Sequence, residues 1–225
     1  MSIDTAAAAT LTYEINAAQA STATFTDVQT LTVTNTSVTN GSINGTVLDD
    51  VDTTTLNVTA GSAATLVTGD ITGTNALSTV AITTAINGQT ATVGTIADAD
   101  ALSSLTVNAV AGNATVGQIG TNATANNAEL LAAVNVTASQ GATATVGFII
   151  ADSTVDSSSD LDMTITANAA NTSTVALTGV DNTYGTITLN ASGAGTVNNS
   201  TNNLVANDVT VNFTAATGTI SGVTG

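Results

Sequence analysis

The hydrophobic positions of this chain fall into a two-strand unit that recurs nine times. The first strand of each unit is an apolar-x-apolar triplet, and successive triplets start 20 to 29 residues apart. Alternation of side chains between the two faces of a strand puts both apolar residues on one face. The triplets are Leu11-Thr12-Tyr13, Leu31-Thr32-Val33, Leu56-Asn57-Val58, Val80-Ala81-Ile82, Leu105-Thr106-Val107, Val134-Asn135-Val136, Met163-Thr164-Ile165, Ile187-Thr188-Leu189 and Val209-Thr210-Val211.

A second apolar position, preceded directly by Thr, follows each triplet after 8 to 14 residues. If the apolar residue points inward, the Thr before it points outward. The predicted pairs are Thr24-Phe25, Thr46-Val47, Thr65-Leu66, Thr92-Val93, Thr115-Val116, Thr145-Val146, Thr174-Val175, Thr196-Val197 and Thr219-Ile220.

Repeats of this length, each with a few small or branched apolar residues, predict an all-β fold that is a β-solenoid of about nine coils with roughly 25 residues per coil. Aromatic residues make up only 2% of the chain and Pro is absent, which favours a thin core and continuous strands. We expect an N-terminal cap or arm at residues 1–10 and the solenoid at residues 11–225. The Ala-rich segments Thr5–Thr10 and Asn127–Ala133 are predicted to form short helices.

The charge balance excludes several functions. The chain has 16 acidic residues and no Lys, Arg or His, giving a formal net charge of −16. Nucleic acids and anionic membranes are poor partners, because Lys and Arg drive binding to both. Without His, Cys or Lys there is no Ser-His triad, thiol nucleophile or zinc site, so we predict that the chain is not an enzyme.

Most of the junctions between units carry an acidic residue four to seven positions before the next triplet. One interpretation is that Asp favours turns and keeps the surface soluble. The other is that neighbouring coils bring carboxylates together around a hard cation such as Ca²⁺, which binds six to eight oxygen ligands. The candidate ligands are Asp49, Asp50, Asp52, Asp98, Asp100, Asp152, Asp156, Asp160 and Asp162.

Outward Thr residues at regular spacing indicate a further surface, since flat T-x-T faces on solenoids can match ice. The triplets Thr90-Ala91-Thr92, Thr143-Ala144-Thr145 and Thr172-Ser173-Thr174 fit this pattern, and Thr22-Ala23-Thr24 and Thr217-Gly218-Thr219 fit it too. Thr is also simply a favourable strand residue.

Segments such as Thr55–Gly61 and Leu102–Ala109 resemble the units of bacterial surface-layer and β-strand-repeat proteins. The resemblance implies an extracellular or cell-surface, Ca²⁺-dependent, self-assembling structural protein that is exported by type I secretion. It agrees with an N-terminus that lacks the features of a secretory signal and with the absence of an 18-residue apolar stretch.

We expect no polar capping segment after Thr219-Ile220. An end coil without a cap exposes unpaired backbone groups, which favour association with other strands. We therefore predict a homopolymer, in which subunits stack end to end into a filament or surface lattice bridged by Ca²⁺. The alternative is an adhesin stalk, or a surface module that binds ice or a cell-surface polysaccharide.

Overall fold

Parallel β-strands account for all the regular structure in the described part of the chain. The computed structural model describes residues 1–48, 52–61, 64–97, 99–121, 130–150, 161–180, 184–192, 194–199, 204–214, 219–221 and 223–224. The strands are β1 (Ser2–Glu14), β2 (Thr22–Asn35), β3 (Gly41–Ser42), β4 (Gly45–Val47), β5 (Thr55–Ala60), β6 (Thr65–Val67), β7 (Asp70–Thr72), β8 (Thr79–Thr84), β9 (Thr90–Val93) and β10 (Ser104–Ala109). They continue as β11 (Asn113–Val116), β12 (Ala133–Ala138), β13 (Thr143–Ile149), β14 (Leu161–Ala170), β15 (Thr174–Val180), β16 (Tyr184–Ser192), β17 (Thr196–Asn199), β18 (Leu204–Phe213), β19 (Thr219–Ser221) and β20 (Val223–Thr224).

The chain winds as a β-solenoid in which each turn contributes to three ladders. The first ladder runs through β1, β2, β5, β8, β10, β12, β14, β16 and β18, and the second through β3, β6, β9, β11, β13, β15, β17 and β19. The third ladder contains the N-terminal part of β2, then β4 and β7. It continues as single bridges from Ile71 to Ile96, from Ile96 to Ile119 and from Ile119 to Ile149. The predicted β-solenoid is therefore confirmed, with a third side that the two-strand unit did not include.

The described residues give about six turns of about 25 residues, fewer than the predicted nine. Nine strands nevertheless stack in the first ladder. Several segments of the later turns lie outside the described residues, among them 151–160, 181–183 and 200–203.

The pairing register confirms eight of the nine predicted triplets. Leu31, Leu56, Val80, Leu105 and Val134 follow one another along the first ladder. The seventh triplet was wrong, because Val134 pairs with Ile165 and not with Met163. A shift of two residues leaves the alternation of faces unchanged, so the apolar pattern alone does not exclude it.

The Thr-apolar pairs fall into three different registers. Thr92, Thr115 and Thr145 pair with one another in the second ladder, as predicted. Thr65 pairs with Thr90, and Thr174 with Thr143, so the pairs of the third and the last three units are displaced by two residues. The first two pairs lie in the third ladder, where Thr24 pairs with Val47.

The predicted helix at Thr5–Thr10 was wrong, since these residues lie within strand β1. Pairing with β2 outweighs the helix preference of a short Ala run, because a helix this short is marginal in water. Residues 130–133 contain no helix either, and 127–129 lie outside the described residues. The division into 1–10 and 11–225 stays a prediction.

The core is a set of apolar columns that run parallel to the solenoid axis. Each column takes one residue from each turn, and the central members have exposed fractions near zero. The first ladder supplies the column of Leu31, Leu56, Val80, Leu105 and Val134, the second Leu66, Ala91, Ala114, Ala144 and Val175, and the third Ile71, Ile96, Ile119 and Ile149. Each turn therefore buries its apolar residues mainly against the turns on either side.

Sharp corners between the second and third ladders depend on glycine. Gly94 and Gly117 directly follow strands β9 and β11 at this corner, and Gly147 lies within β13. A Cβ atom on Gly117 would lie 2.8 Å from the carbonyl oxygen of Gly94 in the turn before. Glycine is needed here because two backbones approach more closely than a side chain allows.

Candidate functional site

Two residues of the predicted acidic edge, Asp52 and Asp100, lie at the corner that leads from the third ladder to the first. Of the nine candidate ligands, Asp49, Asp50, Asp98, Asp152, Asp156 and Asp160 lie outside the described residues. Asp162 lies in the backbone of β14. Asp52 is exposed and Asp100 is partly exposed.

The ladder places Asp52 and Asp100 two turns apart. Asp52 precedes β5 and Asp100 precedes β10, while β8 pairs with both of these strands from between them. At about 4.8 Å per strand, the two positions are about 10 Å apart. At the same corner of the intervening turn lies Asn75, which is exposed. Asp52 and Asp100 are thus too far apart to share one ion.

Asp27 and Asp52 occupy equivalent positions in neighbouring turns. Each lies three residues before a paired position of the first ladder, Thr30 and Thr55. Asp27 has a φ of 58°, a left-handed backbone conformation within β2, before the segment of β2 that pairs with β5. Within the described ranges, no group of three or more acidic residues is arranged to hold a metal ion. The Ca²⁺ site therefore stays a prediction.

The outer face of the first ladder carries three columns of polar side chains. We call them the polar columns, and hydroxyl or amide residues occupy most of their positions. Their members are Thr30, Thr55, Thr79, Ser104, Ala133, Thr164 and Thr186; Thr32, Asn57, Ala81, Thr106, Asn135, Thr166 and Thr188; and Thr34, Thr59, Thr83, Asn108, Thr137, Asn168, Asn190 and Asn212.

The last polar column ends in an asparagine ladder. Asn190 Nδ2 donates to Asn168 Oδ1 at 2.7 Å, and Asn212 Nδ2 donates to Asn190 Oδ1 at 2.8 Å. Each amide both donates and accepts, so the chain of hydrogen bonds can extend from turn to turn. These contacts tie three successive turns together on the outer face.

The second ladder carries two further outer columns. One contains Thr90, Asn113 and Thr143, and the other contains Thr92, Thr115 and Thr145. The T-x-T triplets at 90–92 and 143–145 are therefore aligned, whereas Thr174 pairs with Thr143 and the triplet at 172–174 is displaced by two residues. Sequence reasoning identified this face but not the three-column array on the first ladder.

The two ends of the first ladder differ from its centre. In the centre, Val33 and Val58 are fully buried. At one end Tyr13, which pairs with Val33, is only partly buried and packs edge-on against Phe25 with ring centroids 5.2 Å apart. At the other end Val211 is 43% exposed. Both ends of this apolar column are thus open to solvent.

Strand β1 forms the edge of the sheet at the first end. It pairs with β2 on one side and has no partner on the other side among the described residues. At the second end, β20 pairs with β18 at Leu204 and Val205, and the rest of β18 has no partner on this side within the described part of the chain. Unpaired backbone N–H and C=O groups on an edge favour pairing with another strand.

These features define a parallel β-solenoid repeat protein. Comparisons with protein-family models, with curated proteins and with solved structures find no match. No helix in the described ranges is long and apolar enough to cross a membrane.

Proposed function

We propose that this chain is a non-catalytic, extracellular structural protein whose copies assemble end to end through the edges of the first ladder. The observation that carries the proposal is the pair of open edges at β1 and β18. Among the described residues, each edge presents backbone groups without a strand partner, and Tyr13 and Val211 leave the same apolar column open at its two ends. Stacking one copy on the next would satisfy the backbone groups and bury both side chains.

Such a contact joins two different surfaces, so it repeats without closing and produces a filament. Nine strands in the first ladder correspond to a subunit about 40 Å long, at about 4.8 Å per strand. The extracellular location and the surface lattice rest on the resemblance to surface-layer and β-strand-repeat proteins.

The net charge of −16 opposes assembly, because every copy repels every other. Divalent cations would weaken this repulsion, and Ca²⁺ suits carboxylate ligands. We propose that Ca²⁺ binds along the acidic corner, with Asp52, Asp100, Asp162 and the candidates outside the described residues as ligands. Asp27, next to Asp52 in the preceding turn, is added to that set.

Negative-stain electron microscopy of the purified chain tests the proposal. Samples at matched protein concentration and ionic strength would contain EGTA, millimolar Ca²⁺, or NaCl that replaces the Ca²⁺ salt. Filaments only with Ca²⁺ would support stacking and specific cation bridging. Filaments in high NaCl as well would reduce the cation to a screening role, and isolated rods at every concentration would refute end-to-end assembly.

The polar columns favour a second candidate function, a surface that binds ice or a polysaccharide. Rows of Thr and Asn at fixed strand spacing present hydroxyl and amide groups as a regular array, which suits hydrogen bonds to ordered water or to sugar hydroxyls. A cell-surface polysaccharide is the partner we propose for an adhesin stalk of this kind.

An ice-recrystallisation assay tests the ice-binding form of this candidate. Replacing Thr106 by Lys, at the centre of the middle column, should abolish activity because a long charged side chain breaks the flat array. Lys at exposed Asn87, in a corner outside the columns, is the matched control. If neither the parent chain nor the control inhibits recrystallisation, ice binding is refuted, and binding to immobilised polysaccharide becomes the next measurement.

A further inference from the structure

The backbone geometry at the two open edges limits the contact between copies to registers that differ by steps of two residues. In a strand, the N–H and C=O groups of one residue point to one side and those of the next residue point to the other. Ile15 N donates to Thr34 O at 2.9 Å, so the backbone groups of Ile15 point towards β2. Residues two apart point to the same side, so the backbone groups of Tyr13 also point towards β2. Thr12 and Glu14 therefore present their backbone groups at the open edge of β1.

The other edge follows from the same rule. Thr214 N donates to Ala191 O at 3.1 Å, so the backbone N–H of Thr214 points towards β16. The backbone groups of Asn212 and Thr210, which lie two and four residues earlier, point the same way. Val211 and Phe213 then present their backbone groups at the open edge of β18. Thr12, Glu14, Thr210 and Asn212 pair with members of the polar columns, and their backbone groups point towards the N-terminal side of their own strand in the stack. The backbone groups of the residues between them point towards the C-terminal side.

We infer that β1 of one copy pairs in parallel with β18 of a second copy, with Thr12 opposite Thr210, Tyr13 opposite Val211 and Glu14 opposite Asn212. This inference rests on the proposed end-to-end assembly and adds its register. It continues each ladder without a break: Thr12 already pairs with Thr32, and Thr210 with Thr188. The open apolar column closes at the same point, since Tyr13 covers Val211.

The charges of the two edges agree with this register. Glu14 meets Asn212, the last amide of the asparagine ladder. If the side-chain amides of the asparagine ladder rotated to reverse the direction of their hydrogen bonds, Asn212 Nδ2 would donate to the Glu14 carboxylate. This would be a charge-assisted hydrogen bond. Sliding β1 by four residues would instead place Glu14 opposite Asp208, two carboxylates in one column. Like charges opposite each other in a sheet are destabilising.

Strand β20 occupies part of the same edge. Its residues Val223 and Thr224 pair with Leu204 and Val205, at the N-terminal end of β18, which the N-terminal half of β1 from the second copy would approach in this register. A two-residue strand is held by few hydrogen bonds. Binding of a second copy therefore displaces β20, which acts as a removable cover on this edge.

Disulfide trapping tests the register, because the chain contains no cysteine. Thr12→Cys and Thr210→Cys would be introduced together, and oxidised samples under assembly conditions would be separated on a denaturing gel. The two sites lie at opposite ends of one chain, so only contact between copies can join them. Neighbouring strands, about 4.8 Å apart, bring Cα atoms within the range that a disulfide spans.

The matched control combines Thr12→Cys with Thr214→Cys, a site four residues further along the chain. We expect a ladder of linked oligomers for the first pair, with at least about tenfold less linkage for the control. Assembly of the parent chain without linkage of the first pair, or equal linkage of both pairs, would overturn the register while leaving end-to-end assembly intact. Failure of the parent chain to assemble would refute the proposed function itself.

Removal of residues 222–225 tests the role of β20. The shortened chain should assemble at a protein concentration several-fold lower than the parent chain requires, since no strand has to leave the edge. An unchanged or higher critical concentration, with the same disulfide pattern, would show that β20 does not compete for this edge.

Discussion

Leu105 offers the most direct test of the inward columns. It is fully buried in β10 and lies between Val80 and Val134 of the neighbouring turns. Replacing it by Ala removes buried apolar atoms and leaves a cavity, which costs about 2–5 kcal/mol in a well-packed core. Strands on both sides hold the site open, so we expect a loss of about 3 kcal/mol in the free energy of unfolding. That is a large share of the ~5–15 kcal/mol typical of a folded domain.

Urea unfolding followed by circular dichroism measures this loss. The matched control is Thr106→Ala, one residue away on the same strand but on the outer face. Its free energy of unfolding should change by no more than about 0.5–1 kcal/mol, since it loses only partly exposed cross-strand contacts. A loss at Thr106 equal to or greater than the loss at Leu105 would refute the assignment of the two faces and with it the register of the first ladder.

Three further predictions concern the corner, the edges and the charge. Gly117→Ala should lower the free energy of unfolding by about 1–3 kcal/mol, because its Cβ meets the backbone of Gly94; Gly45→Ala, whose Cβ has its nearest neighbour at 3.4 Å, should cost less in the same urea assay. Thr12→Pro and Val211→Pro each remove one backbone donor that faces an open edge, so sedimentation should show that neither variant forms filaments alone and that their mixture stops at dimers. Filaments in that mixture would contradict pairing through these edges. Light scattering should show assembly increasing as the pH falls from 7 towards the sequence pI of 4.1, because carboxylate protonation removes repulsion, and assembly that is independent of both pH and salt would contradict the role given to charge.

The register of the first ladder was predictable because large apolar residues alternate with polar ones along most of its strands. Leu56 and Leu105, for example, have polar neighbours on both sides, so only one phase of the alternation buries them. The second ladder was harder to place. Thr90-Ala91 and Thr92-Val93 both match a Thr-apolar pair, and a shift of two residues keeps the same faces buried.

The third ladder was missed because it carries little sequence signal. For several turns it consists of one bridge per turn, at Ile96 and Ile119 for example, and a single apolar residue has no period. The Ala-rich start of the chain was assigned to a helix from local preference, whereas its pairing with β2 depends on residues about 20 positions away. The acidic positions were found by sequence, but the distance between Asp52 and Asp100 follows only from the order of the strands.

The stacking of equivalent residues has a consequence for how such a chain changes length. Each turn contacts its neighbours through the same columns, so a duplicated or deleted segment of one whole turn, such as residues 79–103, leaves every remaining column aligned. The rod would lengthen or shorten by one strand spacing, while its cross-section and its two edges stayed as they are. The length of the solenoid can therefore vary in discrete steps when the gene gains or loses whole repeats, independently of what the outer faces and the edges bind.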